Sequence, residues 1–249
     1  MAESLLPVGF FIVAALYASV GHGGATGYLA LLALLMPTLP THEASTTALM
    51  LNTIVSGLAL VQFERAGHFP TRLALPFLVA SIPAAFLGGM LQVSRWLFNL
   101  LLLIGLLMAV VRLLLLHTNR LDDLTCLKPP SVGMALGVGG LIGLISGIVG
   151  IGGGIFLSPL LILLRWATPR DTAGVAASFV LCNSLAGLLA RGMVGTLVVG
   201  SLGLPMVAAM MGGYLGSYMG ARYLMPITLN RLLAVVLTVA CGKLALMLI

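Results

Sequence analysis

The sequence predicts an all-α, polytopic membrane protein, and two observations carry that prediction. Of its 249 residues, 60% are hydrophobic and only 7% are charged, whereas about 25% of the residues of a soluble domain carry a charge. Apolar stretches of about 20 residues, long enough to cross a bilayer as a helix, recur along the whole chain. They are continuous and do not alternate with polar residues, which argues against a transmembrane β-barrel.

We predict ten helical segments, arranged as two sets of five. The segments are 5–20, 24–36, 44–63, 72–91, 96–117, 132–149, 154–166, 172–190, 196–220 and 228–249. Between the two sets lies the only sizeable polar loop of the sequence, which ends in Lys128-Pro129-Pro130. The chain is therefore divided into a first transmembrane repeat over 1–118, a polar inter-repeat loop over 119–130 and a second transmembrane repeat over 131–249.

The two sets are predicted to be copies of one another, since short motifs recur in them in the same order. The matching pairs are Gly21-x-Gly23-Gly24 with Gly150-x-Gly152-Gly153, Pro40 and Ala44 with Pro169 and Ala173, Asn52 with Asn183, Leu75-Pro76 with Leu204-Pro205, Phe86-Leu87-Gly88 with Tyr214-Leu215-Gly216, and Asn99 with Asn230. One or two such matches would arise by chance in so biased a composition. The ordered series indicates an internal duplication.

A glycine cluster interrupts a hydrophobic stretch at the equivalent place in each half. Such a run breaks a helix, and broken backbone at membrane depth is tolerated where it is buried in protein or lines a cavity. Paired interruptions in the two halves of a transporter point to its binding site. The alternative is that the glycines only let helices pack closely, which is the interpretation we prefer for Gly212, Gly216 and Gly220.

The helical segment after each cluster is too short to cross the membrane easily. Residues 25–36 would extend about 18 Å, against a hydrocarbon core of about 30 Å. In one arrangement the segments before and after each cluster form a single kinked span, and the two repeats are parallel. In the other, each half turns back as a hairpin or crosses as two short tilted helices, and the repeats are inverted.

The basic residues favour the inverted arrangement, because cytoplasmic loops of membrane proteins are enriched in Lys and Arg. A kinked span divides the 12 basic residues five against seven between the two sides of the membrane. The hairpin arrangement divides the same 12 residues nine against three, with Arg95, Arg191 and Lys243 on the sparse side. We therefore predict inverted repeats, with both termini outside and the loop around 118–130 in the cytoplasm.

Helices that begin at the glycine clusters would form an anion site. The first N–H groups of a helix have no intrahelical acceptor and lie at the positive end of the helix dipole, so they attract anions. Glycine also lets a ligand approach the backbone closely. In an inverted repeat, the helix starts after Gly24 and Gly153 would converge on one small oxyanion. No basic residue is predicted near mid-membrane, so backbone N–H groups would supply the ligands.

Polar side chains add to this candidate site. His22 is the only ionisable residue predicted deep in the membrane, where such residues are functional candidates, although it could instead cap the helix break. Asn52 and Asn183 lie mid-helix in matching segments and either contact the ligand or hydrogen-bond between helices. Ser45, Asn52 and Ser56 fall on one helix face, which must face protein or a cavity. The predicted substrate-binding residues are Gly21, His22, Gly23, Gly24, Thr26, Asn52, Gly150, Gly152, Gly153, Gly154 and Asn183.

No enzyme active site is predicted. The sequence has no Walker motif and no GxSxG nucleophile elbow, and Cys126, Cys182 and Cys241 lack the spacing of a metal or redox site. We therefore expect no cofactor, no metal site and no nucleic-acid partner. His42, Glu43, His68 and His117 lie near helix ends and are interpreted as solvated residues at the membrane interface.

The glycine-rich segments resemble those of the TauE/SafE-type sulfite exporter family, also called the toluene sulfonate uptake permease family. The family signature is similar to the segment from Gly143 to Leu160, and its more degenerate copy is similar to the segment from Ala18 to Tyr28. The likeness covers nearly the whole chain. It implies transport of sulfite, sulfonates or related sulfur-containing anions across the bacterial inner membrane. His22 stands where many members of the family carry an apolar or small residue.

We therefore expect a secondary transporter of a small oxyanion, with sulfite or an organosulfonate as the first choice, driven by an ion gradient. One repeat would rock against the other to give alternating access. The expected partners are the anion, the lipid bilayer, a coupling proton or sodium ion and further copies of the chain in a homo-oligomer. The alternatives are a transporter of another substrate, such as a metal cation, which the scarcity of intramembrane carboxylates disfavours, and a membrane subunit that scaffolds a partner without transporting.

Overall fold

The computed structural model of the chain describes residues 2–36, 38–91, 94, 96–97, 100, 103–104, 107, 127–195 and 203–223. Over these residues the chain forms eight α-helices and no β-strand, which confirms the all-α prediction for this part of the sequence. The helices are α1 (Ala2–Ala18), α2 (Ala25–Leu35), α3 (Thr41–Arg65), α4 (Thr71–Met90), α5 (Val132–Val149), α6 (Gly154–Leu163), α7 (Pro169–Val194) and α8 (Gly203–Arg222). Most of the fifth predicted segment, all of the tenth and most of the loop over 119–130 lie outside the described residues.

Helix α7 shows why some boundaries differ from the predicted ones. It begins at Pro169, ahead of the predicted start at 172, because the Thr168 side chain accepts a hydrogen bond from the Asp171 backbone N–H at 3.2 Å. Proline in the first turn lacks an N–H that the helix would leave unpaired in any case. The helix ends at Gly195, which adopts a left-handed conformation with φ 73°. Cap chemistry therefore extends this helix beyond its hydrophobic stretch.

Within the described ranges, four helices are long and apolar enough to cross a membrane, namely those at His42–Arg65, Thr71–Met90, Val132–Val149 and Pro169–Val194. Helices α2 and α6, which follow the glycine clusters, have only 11 and 10 residues. At 1.5 Å per residue each is about 15–16 Å long, roughly half the thickness of a bilayer core. These two helices therefore reach only partway across the membrane.

Helices α3 and α7 lie side by side and antiparallel at the centre of the fold. The Arg191 guanidinium contacts Ser45 at one end of the pair, and the Asn52 amide bonds Ser184 in the middle. Residue numbers thus rise along α3 while they fall along α7. The two long helices are also well buried, with 72% of the apolar window of α7 and 56% of that of α3 inside the protein. They form the scaffold against which the shorter helices pack.

Two further helix pairs flank this centre, and both are held by glycines that lie against backbone carbonyls. On α8, a Cβ at Gly212, Gly216 or Gly220 would collide respectively with the carbonyls of Phe11 and Ala15 on α1 and of Ser19 directly after it. On α5, a Cβ at Gly139, Gly143 or Gly147 would collide with the carbonyls of Phe77, Ser81 and Ala85 on α4. The numbers rise together in both pairs, so each pair is parallel. The packing role predicted for the three glycines of α8 is confirmed.

Helix α2 turns back along α1 after the first glycine cluster. A Cβ at Gly9 would lie 3.0 Å from the Leu31 side chain, and one at Gly27 would meet Val13. The rings of Phe10 and Tyr28 are 5.1 Å apart. Early residues of α1 therefore contact late residues of α2, which is the contact pattern of an antiparallel hairpin rather than of one kinked span.

Basic residues gather at one end of the helix bundle. The Lys128 N–H donates to the Arg165 carbonyl at 2.9 Å, and His68 Nδ1 lies 3.6 Å from the Asp171 carboxylate. These contacts bring the α3–α4 turn, residue 128 and the start of α7 together, and Arg222 at the end of α8 joins them through a 3.3 Å bond to Gln62. The basic residues at this end are Arg65, Arg72, Lys128, Arg165, Arg170 and Arg222. A kinked span would have placed the last three at the opposite end.

Candidate functional site

Both glycine clusters adopt backbone conformations that favour glycine. Gly21 and Gly24 have φ values of 76° and 97° in the first cluster. Gly150, Gly152 and Gly153 have φ values of 76°, 72° and 78° in the second. Side chains rarely occupy this left-handed region. Helices α2 and α6 therefore both begin after a left-handed glycine, Gly24 or Gly153, which provides no side-chain cap.

Each cluster packs against the long helix of the opposite half. A Cβ at Gly21 would collide with the Ala173 carbonyl on α7, and a Cβ at Gly150 would collide with the Ser45 hydroxyl on α3. All the glycines predicted to bind substrate, together with His22 and Thr26, are buried. The clusters therefore lie inside the protein, where irregular backbone can be tolerated at membrane depth.

The Asn52 side chain lies between the two clusters. Its Oδ1 accepts a 3.2 Å hydrogen bond from the Ala25 N–H, the first of helix α2. Its Nδ2 donates at 2.9 Å to Ser184 Oγ on α7, and a Cβ at Gly152 would collide with the same nitrogen. A Cβ at Gly23 would collide with Oδ1. One amide thus caps the helix of the first half and contacts the backbone of the second.

His22 connects the first cluster to helix α6. Its Nδ1 donates to the Val20 carbonyl at 2.9 Å, which is the break-capping contact considered from the sequence. Its Nε2 lies 3.2 Å from Ser158 Oγ on α6. The ring is 4% exposed, so this single histidine links the two halves within the interior.

Four buried side chains carry polar atoms without a hydrogen-bond partner among the described residues, namely Tyr28, Ser146, Thr172 and Asn183, the last through both of its amide atoms. Two of them lie beside the glycine clusters: Tyr28, and Ser146, whose Cβ lies 3.1 Å from a Cβ added at Gly153. A Cβ at Gly24 would lie 3.1 Å from the Tyr28 hydroxyl, so that hydroxyl points at the start of its own helix. Leaving such groups unpaired costs free energy, about 1–3 kcal/mol each, and a ligand would recover it.

Arg191 corrects one prediction. No basic residue was predicted near mid-membrane, which left backbone N–H groups as the expected anion ligands, yet the Arg191 guanidinium is buried and lies 3.0 Å from the Cβ position of Gly150. It donates to the hydroxyls of Ser45 and Thr46 at 2.8 Å and 3.3 Å. The prediction failed because Arg191 stands in the last turn of α7, where basic residues normally reach solvent or the interface.

The structure confirms the polar face predicted on α3 and reveals partners that were missed. Ser45, Asn52 and Ser56 are all buried. The missed residues are Ser184, Ser158 and Tyr17, which bond Asn52, His22 and Thr26 respectively. A polar residue inside an apolar membrane helix is itself a signal. Ser158 and Ser184 are such residues, since each lies within an apolar helix, α6 or α7.

The buried charge around the clusters is positive or neutral. Among the described residues, the buried ionisable side chains besides tyrosines are His22 and Arg191, with no buried carboxylate. No group of three His, Cys, Asp or Glu residues that could hold a metal ion occurs in the described ranges. His42 at the start of α3 is exposed and lies 3.9 Å from Glu43.

Comparison with known proteins identifies the family. The chain matches the family model described as sulfite exporter TauE/SafE over residues 5–244. It is 33% identical over 242 residues to the probable membrane transporter protein y4hK of Sinorhizobium fredii, covering 96% of each chain. It is 31% identical over 182 residues to a probable membrane transporter protein of Xylella fastidiosa, covering 68% of this chain and 65% of the relative. No solved structure matches the chain significantly. The chain therefore belongs to the TauE/SafE family and is a multi-pass transporter of the inner membrane.

Proposed function

We propose that this transporter carries a small oxyanion, sulfite or an organosulfonate, and binds it where the two glycine clusters meet. The observation that carries the proposal is the position of Asn52, whose amide contacts Gly23 and the first N–H of α2 on one side and Gly152 on the other. A ligand at this amide would lie beside both clusters. The Asn52 amide could then exchange its present hydrogen bonds for hydrogen bonds to the anion.

The chemistry around Asn52 fits an oxyanion. The first N–H groups of α2 and α6 present hydrogen-bond donors at the positive ends of two helix dipoles. The Tyr28 hydroxyl, which has no partner among the described residues, adds a donor beside Gly24. Asn183, on the same helix as Ser184, is a buried amide with no hydrogen-bond partner among the described residues. A small anion with several acceptor oxygens requires several donors, and the described part of the chain has no buried carboxylate to repel it.

The inverted-repeat model supports transport by alternating access. Helices α3 and α7, which occupy equivalent places in the two predicted repeats, run antiparallel and cross where Asn52 bonds Ser184. Equivalent elements that run in opposite directions are the mark of a two-fold axis in the membrane plane. An axis near this bond would make the site accessible from both sides in turn. The nine-to-three division of basic residues also follows from this topology.

Ligand-dependent thermal stabilisation of the purified protein tests the proposal. Sulfite, methanesulfonate, sulfate, thiosulfate and chloride would be compared at equal ionic strength, because a ligand that binds only the native state raises its stability. We expect sulfite or methanesulfonate to raise the melting temperature of the wild type and Asn52→Ala to abolish that rise. Gln62→Ala is the matched control, since Gln62 is a buried amide on the same helix that accepts a hydrogen bond from Arg222.

Uptake into proteoliposomes completes the test. Radiolabelled sulfite or methanesulfonate should enter vesicles that contain the wild type or Gln62→Ala, and not vesicles that contain Asn52→Ala. A stable wild-type protein that neither binds nor moves any of these anions would contradict the proposal. Binding that survives in Asn52→Ala would place the site elsewhere in the protein.

A further inference from the structure

The imidazole of His22 lies beside the first residues of two helices. His22 precedes Gly24, the cap of α2, by two residues. A Cβ at Gly154, the first residue of α6, would lie 3.4 Å from Cδ2 of the same ring. The ring is buried and held from both of its nitrogens, by Val20 and by Ser158. A change in its charge would therefore be felt at both helix N-termini.

The hydrogen bonds of His22 assign a separate role to each nitrogen. A backbone carbonyl can only accept, so Nδ1 carries a proton against the Val20 oxygen whether the ring is neutral or charged. Protonation must then change Nε2. In the neutral ring, Nε2 accepts a hydrogen bond from the Ser158 hydroxyl, and in the imidazolium it donates to the same oxygen. The ring can gain or lose a proton while both contacts remain.

Electrostatics link that proton to an anion. The N-termini of α2 and α6 carry partial positive charge, which disfavours a second positive charge on His22 when the site is empty. An anion bound at those N-termini reverses the sign of the local field and favours the imidazolium. Because linkage is reciprocal, a proton on His22 then strengthens anion binding by the same factor.

Neutral groups contact the His22 ring from the neighbouring helices α1 and α6. From α1, the Tyr17 ring faces the imidazole with 6.4 Å between centroids, and its hydroxyl bonds Thr26. From α6 the facing group is the neutral Ser158 hydroxyl. The buried Arg191 contacts the other cluster, beside Gly150. In the described part of the chain, no buried carboxylate is present to neutralise an imidazolium.

We propose that His22 binds the coupling proton together with the anion, so that one oxyanion and one proton cross the membrane in the same direction. This inference rests on the proposed function. The proton is taken from water on the side to which the site is open and is held on Nε2. It returns to water on the other side, and no bond within the anion forms or breaks.

Proton uptake on anion binding is the measurement that tests the inference. Methanesulfonate is the probe because its own charge is constant across the neutral range, which sulfite does not offer. Calorimetric titrations in two buffers of different ionisation enthalpy give the number of protons bound with each anion. We expect uptake approaching one proton for the wild type. We also expect affinity to rise as pH falls from about 8 to about 5.5, by at most about tenfold per pH unit for one linked proton.

His22→Gln should bind methanesulfonate more weakly than the wild type does at acidic pH, because it lacks the proton that strengthens binding, and should show neither proton uptake nor dependence on pH. His68→Gln is the matched control, since His68 is a half-buried histidine at the α3–α4 turn that pairs with Asp171, and it should behave as the wild type. Wild-type binding without proton uptake would overturn the inference and leave the proposed function intact, and this result does not depend on whether a variant folds. Proton uptake that persists in His22→Gln would also overturn it. If the wild type bound none of these anions, the proposed function itself would be overturned, and the inference about His22 with it.

Discussion

The Arg191 guanidinium at the end of α7 donates a 2.8 Å hydrogen bond to the hydroxyl of Ser45 near the start of α3. Ser45 in turn donates at 3.0 Å to the carbonyl of Val149, the last residue of α5. One buried cation therefore joins three helices beside the second glycine cluster. The placement is favourable because the C-terminal end of α5 carries partial negative charge.

Replacing Arg191 should destabilise the protein. Arg191→Ala removes hydrogen bonds to a charged group, which contribute about 1.5–3 kcal/mol each, and leaves the hydroxyls of Ser45 and Thr46 without that donor. Arg191→Lys should restore only part of the loss, because an ammonium lacks the planar fork that reaches both hydroxyls. Thermal unfolding in detergent measures the effect. Arg72→Ala, at an exposed position of α4, serves as control, and equal melting temperatures for the Arg191 and Arg72 variants would refute the structural role.

Two glycine-to-alanine substitutions should change the free energy of unfolding in opposite directions. Gly216→Ala would drive a methyl group into the Ala15 carbonyl on α1 and cost about 1–3 kcal/mol by overpacking. Gly137→Ala, within α5 and with nothing inside 4 Å of the added Cβ, should stabilise the protein by about 0.5–1 kcal/mol. Melting temperatures of the two variants against the wild type give the comparison. A stabilising Gly216→Ala would mean that α1 and α8 are not in close backbone contact.

Gly152→Ala separates displacement of Asn52 from backbone strain. The added methyl would collide with Asn52 Nδ2 in addition to straining a residue whose φ is 72°. Gly195→Ala has nearly the same φ, 73°, but meets nothing within 4 Å. Each change should cost about 1–2 kcal/mol in backbone strain. Only Gly152→Ala should also lose anion-dependent thermal stabilisation, and an equal ligand response in both would count against the site.

Tyr28→Phe removes a buried hydroxyl that has no partner among the described residues. Without ligand, the variant should be as stable as the wild type or more stable by about 1 kcal/mol, because an unsatisfied polar group is lost. With sulfite or methanesulfonate, its thermal shift should be smaller than that of the wild type. A hydroxyl with no role in binding would leave the ligand shift unchanged, and that outcome would remove Tyr28 from the site.

The distribution of basic residues predicts the orientation of the bundle. In a variant without the native cysteines, Arg170→Cys and Arg72→Cys should react with a membrane-impermeant maleimide only after the cytoplasmic face of the membrane is opened. Val194→Cys, at the far end of α7, should react in intact cells once the outer membrane is made permeable. Labelling of positions 170 and 194 from the same side would exclude α7 as a membrane span.

Local features of the sequence predict the helices and their interruptions well. The hydrophobic stretches locate α3, α4 and α5 to within a few residues, and the glycine clusters mark where α1 and α5 end. The distribution of basic residues also predicts that α2 turns back along α1, since the hairpin arrangement places nine of the 12 on one side of the membrane. Each of these inferences depends on residues that are neighbours in the chain or on the number of basic residues in the loops at each side of the membrane.

Contacts between distant segments were harder to predict. Asn52 and Asn183 match each other in the predicted repeats, but the structure pairs Asn52 with Ser184, because the register of antiparallel α3 and α7 brings that serine opposite. The burial of Arg191 likewise depends on hydroxyls of α3 and on the space beside Gly150. Helix register and shared cavities are set by the whole packing arrangement, and no single segment encodes them.

The glycine contacts of α5 and α8 have a mechanical consequence. Each joins a helix from one half of the chain to a helix from the other, α4 to α5 and α1 to α8, backbone against backbone. A rotation of the first half of the sequence against the second would separate both helix pairs where their backbones are closest. The closely packed units of this protein are therefore mixed pairs, and the boundaries between moving parts need not coincide with the predicted boundary between the two repeats.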